Sequence, residues 1–175
     1  MELTRTNGGV IYQYDYTSQE FHLAASSGVE AILIDTLRHS KISIGIGAVG
    51  RAAVTRAPVQ VANILEDRQF VLPSAQAILA ELGYRSLIAV PLLLEDRIVG
   101  GLVFWRKKAG AFSMDTLDVL QTFSSQAAVA IENARLFEEV QSRTKELTES
   151  LEYQTATSDV LGVISRSPNE TEPVF

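Results

Sequence analysis

The chain contains no cysteine. Disulfide frameworks, zinc–thiolate sites, thiol nucleophiles and thioether-linked chromophores are therefore excluded, and the absence fits a reducing compartment. Positive charge is also scarce: 15 Lys and Arg stand against 21 Asp and Glu, giving a net charge of −6 and a pI of about 5.0. That balance argues against nucleic acid or an anionic membrane as the main partner. The basic run Arg106-Lys107-Lys108 is too short to reverse it and reads as a solvated hairpin end. No apolar run approaches the ~18–20 residues that span a bilayer, and the opening MELTRTNGG lacks the apolar core of a signal peptide. These absences lead us to expect a cytoplasmic chain without membrane contact.

Catalytic machinery is equally sparse. There are 2 histidines, and neither His22 nor His39 has a second His, Cys or carboxylate at metal-ligand spacing. An axial haem role is conceivable for either, but both read as structural, His39 at the end of a helix where a cation suits the dipole. No serine-centred nucleophile elbow, HExxH or Walker loop occurs. The acidic residues are scattered, with Glu138-Glu139 on a helix surface, so no paired carboxylates suggest acid–base catalysis. We expect a chain that is not an enzyme.

What is present is core. Of 175 residues, 46% are hydrophobic, enough for one ordinary domain plus an appendage. Residues 9–14 (GVIYQY) and 21–26 (FHLAAS) predict two strands joined by a polar turn. Residues 29–39 place Val29, Ile32, Leu33 and Leu37 at helical spacing. Residues 48–56 predict a short helix stopped by Pro58, 59–62 a short strand, and 63–72 a polar loop. Residues 73–82 return to helix with Ala77, Ile78 and Leu82 on one face. Two apolar runs, 87–94 and 98–105, flank Glu95-Asp96-Arg97 and predict a hairpin whose strands are buried on both faces. Pro91 cannot donate to a ladder and marks an edge or bulge; Gly100-Gly101 allows a bend or a close approach.

A long helix is predicted from Ser113, a good N-cap, with Asp115 well placed against the dipole. No Gly or Pro interrupts it from Met114 to Gly162. At about 1.5 Å per residue the run reaches ~70 Å, so it is expected to leave a compact domain unless it breaks. Leu117, Leu120, Phe123, Ala127, Ala130, Ile131 and Ala134 form a stripe for packing on a sheet. From Phe137 a heptad can be written. Phe137, Thr144, Leu151 and Ser158 take one seam position, and Val140, Leu147, Gln154 and Leu161 the other. Three of these eight are polar, so the expected two-stranded coil is weak by itself.

Gly45-Ile-Gly-Ala-Val-Gly50 matches the dinucleotide pattern GxGxxG, with Glu66 or Asp67 at a suitable distance. A small oxidoreductase would follow from it. However, His39–Ile44 is a poor buried parallel strand, and the downstream runs form hairpins rather than βαβ units. The glycines read instead as a tight turn that packs a short helix on the sheet.

The Gly45–Gly50 block, the strand at 59–62, the hairpin SLIAVPLLLEDRIVGGLVFW and the helix FSSQAAVAIENARLFEEV together resemble a GAF domain over about residues 8–140. The resemblance implies an α+β fold: a central antiparallel sheet of five to six strands flanked by helices, with a long C-terminal helix. It implies a GAF domain over 1–137, a coiled-coil signalling linker over 138–157, and at 158–175 the truncated start of a second repeat. GAF domains are ligand-binding or dimerising input modules of histidine kinases, cyclases and other effectors. A homodimer through the terminal helices (Phe137, Val140, Leu147, Leu151) and a downstream kinase or other effector domain are therefore the expected partners. The alternative is a pure dimerisation scaffold without ligand.

By position, the family's ligand pocket maps onto Val61, Ile64, Phe70, Leu72, Ile78, Leu82, Tyr84, Arg85, Ser86 and Ile88. Arg85 could pair with an anionic ligand, or it could face solvent over a filled core. The cofactor is unknown; covalent bilin attachment is excluded, and no Asn-Lys dipeptide of the cyclic-nucleotide signature occurs. The family's opening helix is expected to be missing or to lie outside this stretch, since Gly9 is reached almost at once. That leaves apolar surface which another copy's helix, or its tail through Val160, Leu161 and Ile164, could cover.

Overall fold

The structure is a computed structural model that describes residues 6–67 and 72–166. Phe70 and residues 167–175 of the expected second repeat lie outside the described residues, as do the side chains of Val160 and Ile164. The chain divides between Glu132 and Asn133 into two units. The first holds a sheet, three short helices and the start of a long one; the second is the remainder of that helix.

Strands β1 (Gly8–Asp15) and β2 (Glu20–Ser27) form the first hairpin. Their turn is closed by Asp15, whose carboxylate accepts from the Thr17 amide at 2.8 Å and the Ser18 hydroxyl at 2.9 Å, an Asx-type turn. Helices α1 (Ala31–His39) and α2 (Gly47–Thr55) follow, then β3 (Val59–Val61) and α3 (Pro73–Glu81). The second hairpin is β4 (Ser86–Leu94) with β5 (Arg97–Arg106), and α4 spans Met114–Arg166. The sheet order is β2-β1-β5-β4-β3, with every neighbouring pair antiparallel. The expected α+β architecture is the observed one.

Two apolar layers sandwich the sheet. On one face Val10, Tyr12, Val61, Leu87, Ala89, Val103 and Trp105 meet α1–α3. On the other Ile88, Val90, Leu92, Leu102 and Phe104 meet α4. This double burial is why β4 and β5 are apolar without alternation. Opposite Leu92 and Leu93 stand Gly100 and Ile98, so Val99 is one residue too many. That bulge puts Val99 with the α4 layer and Ile98 with the other. Pro91 sits in a central strand, but β3 pairs only with Leu87–Ala89, so nothing there requires the missing N–H.

Three expectations about helix faces are corrected by the packing. In α1, Ile32 is exposed while Leu33 and Leu37 are buried. In α3 the inward residues are Ala75 and Leu79; Ala77 is exposed, and Ile78 and Leu82 are half-buried at the margin. In α4 the sheet-facing residues are Leu120, Ser124, Ala128 and Glu132, flanked by Leu117, Ala127 and Ile131, whereas Phe123, Ala130 and Ala134 face outward. The helix begins as read: the Ser113 hydroxyl accepts from the Thr116 amide at 3.4 Å.

Arg106 is also not a solvated hairpin end. Its guanidinium donates to Ser86 Oγ at 2.9 Å and to the Gly110 and Ala111 carbonyls at 2.6 and 2.7 Å. It lies 4.1 Å over the Phe112 ring, so it ties down the loop that launches α4. Lys107 and Lys108 are exposed, as expected.

Candidate functional site

The glycine block builds a turn. A Cβ on Gly50 would lie 2.2 Å from the Ser43 carbonyl oxygen, and the Gly45 amide donates to the Gly50 carbonyl at 2.9 Å. The block follows an isolated bridge between Glu20 and Ser43 and no strand. Among the described residues every strand pair is antiparallel, so the dinucleotide reading has no βαβ unit there to rest on. The turn delivers α2 onto the sheet, and Val49 sits where a Cβ on Gly101 would be, 2.2 Å away.

The residues mapped from the resemblance are divided by the sheet. Val61, Ile64 and Tyr84 are buried on the α1–α3 side, with Leu72, Ile78 and Leu82 at its edge. Ile88 lies in the α4 layer. Ser86, two residues earlier in the same strand, shares its side by alternation; its hydroxyl donates to the Lys108 carbonyl at 2.7 Å. Arg85 turns back on α3, donating to the Ala80 and Tyr84 carbonyls at 3.1 and 2.9 Å. It thereby satisfies a carbonyl at the helix C-terminus. The structure does not gather these residues around one space.

The space it does provide is smaller and lies deeper. A void of about 20 Å³ sits between β1, β4 and β5 and the helices α1–α3. Tyr12, Val49, Leu79, Leu87 and Trp105 are among its walls, and among the described residues Leu72 is the one mapped residue that reaches it. Burial pushes the Tyr12 phenol well above its ordinary range. Tyr12 and Trp105 were not singled out by the sequence, although Trp105 is the chain's one tryptophan and could have been flagged on that ground.

Tyr84 stands beside this core. Its hydroxyl donates to Glu30 Oε2 at 2.9 Å, and its ring lies 6.4 Å from that of Trp105. Burial first, then the bond and charge of Glu30, push its phenol up to about 12 from 10.0. A raised folded-state pKa means that the folded chain holds this proton more tightly than the unfolded one. The contribution is complete below pH 10 and is lost as pH rises from 10 towards 12. We expect urea midpoints to fall across that alkaline window and Tyr84→Phe to flatten the fall. An unchanged pH profile in the variant would mean that Tyr84 titrates normally.

On the opposite face, an apolar cleft of about 370 Å³ opens between β1, β2 and α4, lined by Ile11, Leu102, Phe104, Leu120, Phe123 and Ala127. Near the end of the first unit, Arg97 donates to Glu132 at 2.8 Å and lies 5.9 Å over the Tyr16 ring, tying the β4–β5 turn to α4. In the second unit the expected seam residues are outward-facing: Phe137, Val140, Leu147 and Leu151 are 64, 62, 64 and 56% exposed. No cluster of metal-ligand side chains occurs among the described residues, and no described helix is long and apolar enough to cross a membrane.

A sheet ordered β2-β1-β5-β4-β3, helices α1–α3 on one face and a terminal helix on the other agree with what the comparisons return. The family model for the GAF domain matches residues 1–132. The chain belongs to the GAF domain family. It is similar to the GAF domain/HD domain protein of Geobacter sulfurreducens, with a TM-score of 0.66 and 18% identity over 77% of this chain and 86% of that one. It is similar to the GAF domain of a two-component sensor histidine kinase from Bacillus halodurans, with a TM-score of 0.63 and 22% identity over 78% and 88%. The free methionine-R-sulfoxide reductase of Neisseria meningitidis, solved with its substrate, shares the fold with a TM-score of 0.59 and 21% identity over 75% and 70%.

Proposed function

We propose that this chain is a non-catalytic sensory input domain that pairs through its terminal helix and passes a bias to a downstream effector such as a histidine kinase. The observation that carries this reading is the second unit of α4. Phe137, Val140, Leu147 and Leu151 project from a helix that also carries surface ion pairs such as Arg135–Glu139 at 3.1 Å. Apolar side chains at a and d spacing on a charged helix have no use for water and fit a partner helix. Membership of a family that includes input modules, and likeness to the sensor-kinase domain of Bacillus halodurans, support the same reading. A thiol-based reductase chemistry has no residue to carry it, since the sequence has no cysteine.

In the mechanism we favour, a ligand held between the sheet and α1–α3 shifts the packing of the sheet on α4. The paired helices then change their relative rotation or register. A coupling of about 1–3 kcal/mol suffices. The small size of the void, about 20 Å³, favours a second reading, in which the core is filled and the domain only pairs.

Sedimentation velocity at tens of micromolar tests the pairing. The unaltered chain should run as a dimer, and Leu147→Asp/Leu151→Asp should weaken association by about 100-fold or more, given the apolar burial lost at each position. A variant that associates like the parent and regulates its effector normally would remove the linker role.

A further inference from the structure

The turn between β4 and β5 is gripped from both faces of the sheet. It is the short loop Glu95-Asp96, closed by the pairing of Leu94 with Arg97. From the α1–α3 side comes Arg56, the residue that ends α2. Its guanidinium donates to the Asp96 carboxylate at 3.1 Å and to the Asp96 carbonyl at 2.8 Å. Towards the other face, Arg97 donates to Glu132 of α4 at 2.8 Å. Tyr16 steadies Arg97: its ring lies 5.9 Å from the guanidinium, and its hydroxyl donates to the Ile98 carbonyl at 2.6 Å. Since α2 and α4 pack on opposite faces, this turn joins them around the end of the sheet by hydrogen bonds.

The linkage is directional at each step. Arg56 and Glu95 have φ of +53° and +54°, a region that residues with side chains hold only where their surroundings impose it. The bond from Arg56 to the Asp96 carbonyl fixes the main chain of the turn as well as a side chain. Glu132 is 8% exposed, and a buried carboxylate does not readily leave its cation. Apolar contacts are non-directional, whereas a charge-assisted hydrogen bond sets position. Glu132 is also the last residue of the first unit, ahead of Phe137 where the seam begins.

We propose that the β4–β5 turn is the relay between the two faces of the sheet. A displacement at the end of α2 passes through Arg56 to Asp96, and through Arg97 to Glu132, where it biases how α4 lies on the sheet. The proposal rests on the sensory reading above and specifies its regulation, namely the route from the α1–α3 side to the terminal helix. An exposed pair such as Arg56–Asp96 stabilises a fold little, so its effect is read at α4 rather than in the melting temperature.

Amide hydrogen exchange of the whole chain, below the dimerisation range, tests the route. Arg56→Gln should speed exchange at Ala128–Glu132 about fivefold relative to the amides of β5, the lower end of ordinary coupling between sites. In a chain already carrying Arg97→Met, the same Arg56 substitution should change nothing further at Ala128–Glu132. An Arg56→Gln effect confined to α2 and the turn would overturn the relay, as would effects of the two substitutions that simply add. If Arg97→Met does not fold because Glu132 loses this bond, Arg97→Met/Glu132→Leu takes its place, since an apolar substitute for a buried pair is often neutral. The exchange is read within the first unit and needs no dimer. A monomeric chain with non-additive substitutions would keep the relay and lose the pairing; a dimer with additive ones would do the reverse.

Discussion

Replacing Gly100 by alanine should lower the melting temperature by about 10 °C. A Cβ there would lie 2.1 Å from the Tyr12 carbonyl oxygen and 3.3 Å from Leu92 Cδ1. The first obstacle is backbone, and it cannot withdraw easily because β1 is paired on both sides, with β2 and with β5. Overpacking costs about 1–3 kcal/mol, and an obstacle made of main chain places this change near 3. At about 3 °C per kcal/mol for a domain of this size, the shift is large enough to read by calorimetry. Gly83→Ala is the matched control: its φ is +81° and nothing lies within 4 Å, so alanine meets only the left-handed backbone cost of about 1–2 kcal/mol. If the control proved the more damaging change, β1 and β5 would not approach as closely as the register requires.

The second large effect contrasts two neighbours on α4. Leu120 is 1% exposed in the layer formed with Leu102 and Ile88, whereas Phe123 is 52% exposed. Leu120→Ala should cost about 3 kcal/mol, the lost transfer of the side chain plus the cavity left behind. Phe123→Ala removes more atoms yet should cost under about 1 kcal/mol in the monomer, because its ring already meets water on one side. Chemical denaturation below the dimerisation range measures both. A larger loss at Phe123 than at Leu120 would mean that α4 presents a different face to the sheet.

That contrast marks where the sequence ceases to be legible. Hydrophobic spacing placed every strand and helix within a residue or two, because strand and helix periods are local properties of the chain. The apolar hairpin 87–94 and 98–105 and the cap at Ser113 are of this kind. The faces were harder. In α3, apolar residues surround the helix at Ala75, Ala77, Ile78, Leu79 and Leu82, so spacing alone does not favour Ala75 and Leu79. In α4 the buried side includes Ser124 and Glu132. Polarity argues against both, until Arg97 arrives from the β4–β5 turn to meet Glu132 at 2.8 Å.

The candidate site followed the same division. β4 is apolar on both faces, so its composition does not say that Ile88 lies towards α4 while Leu87 lies towards Trp105. The void draws on β1, α1, α2, α3, β4 and β5, and no short window contains that combination. The sequence by itself determined the elements, since strand and helix periods depend on residues within a few positions of one another, while the antiparallel α+β class followed from the resemblance of those elements, in their order, to a known family. Only the tertiary structure decided which faces are inward and where the Trp105 indole sits. Both depend on bulges such as that at Val99 and on contacts between strands almost a hundred residues apart in the chain, such as Gly8 with Trp105.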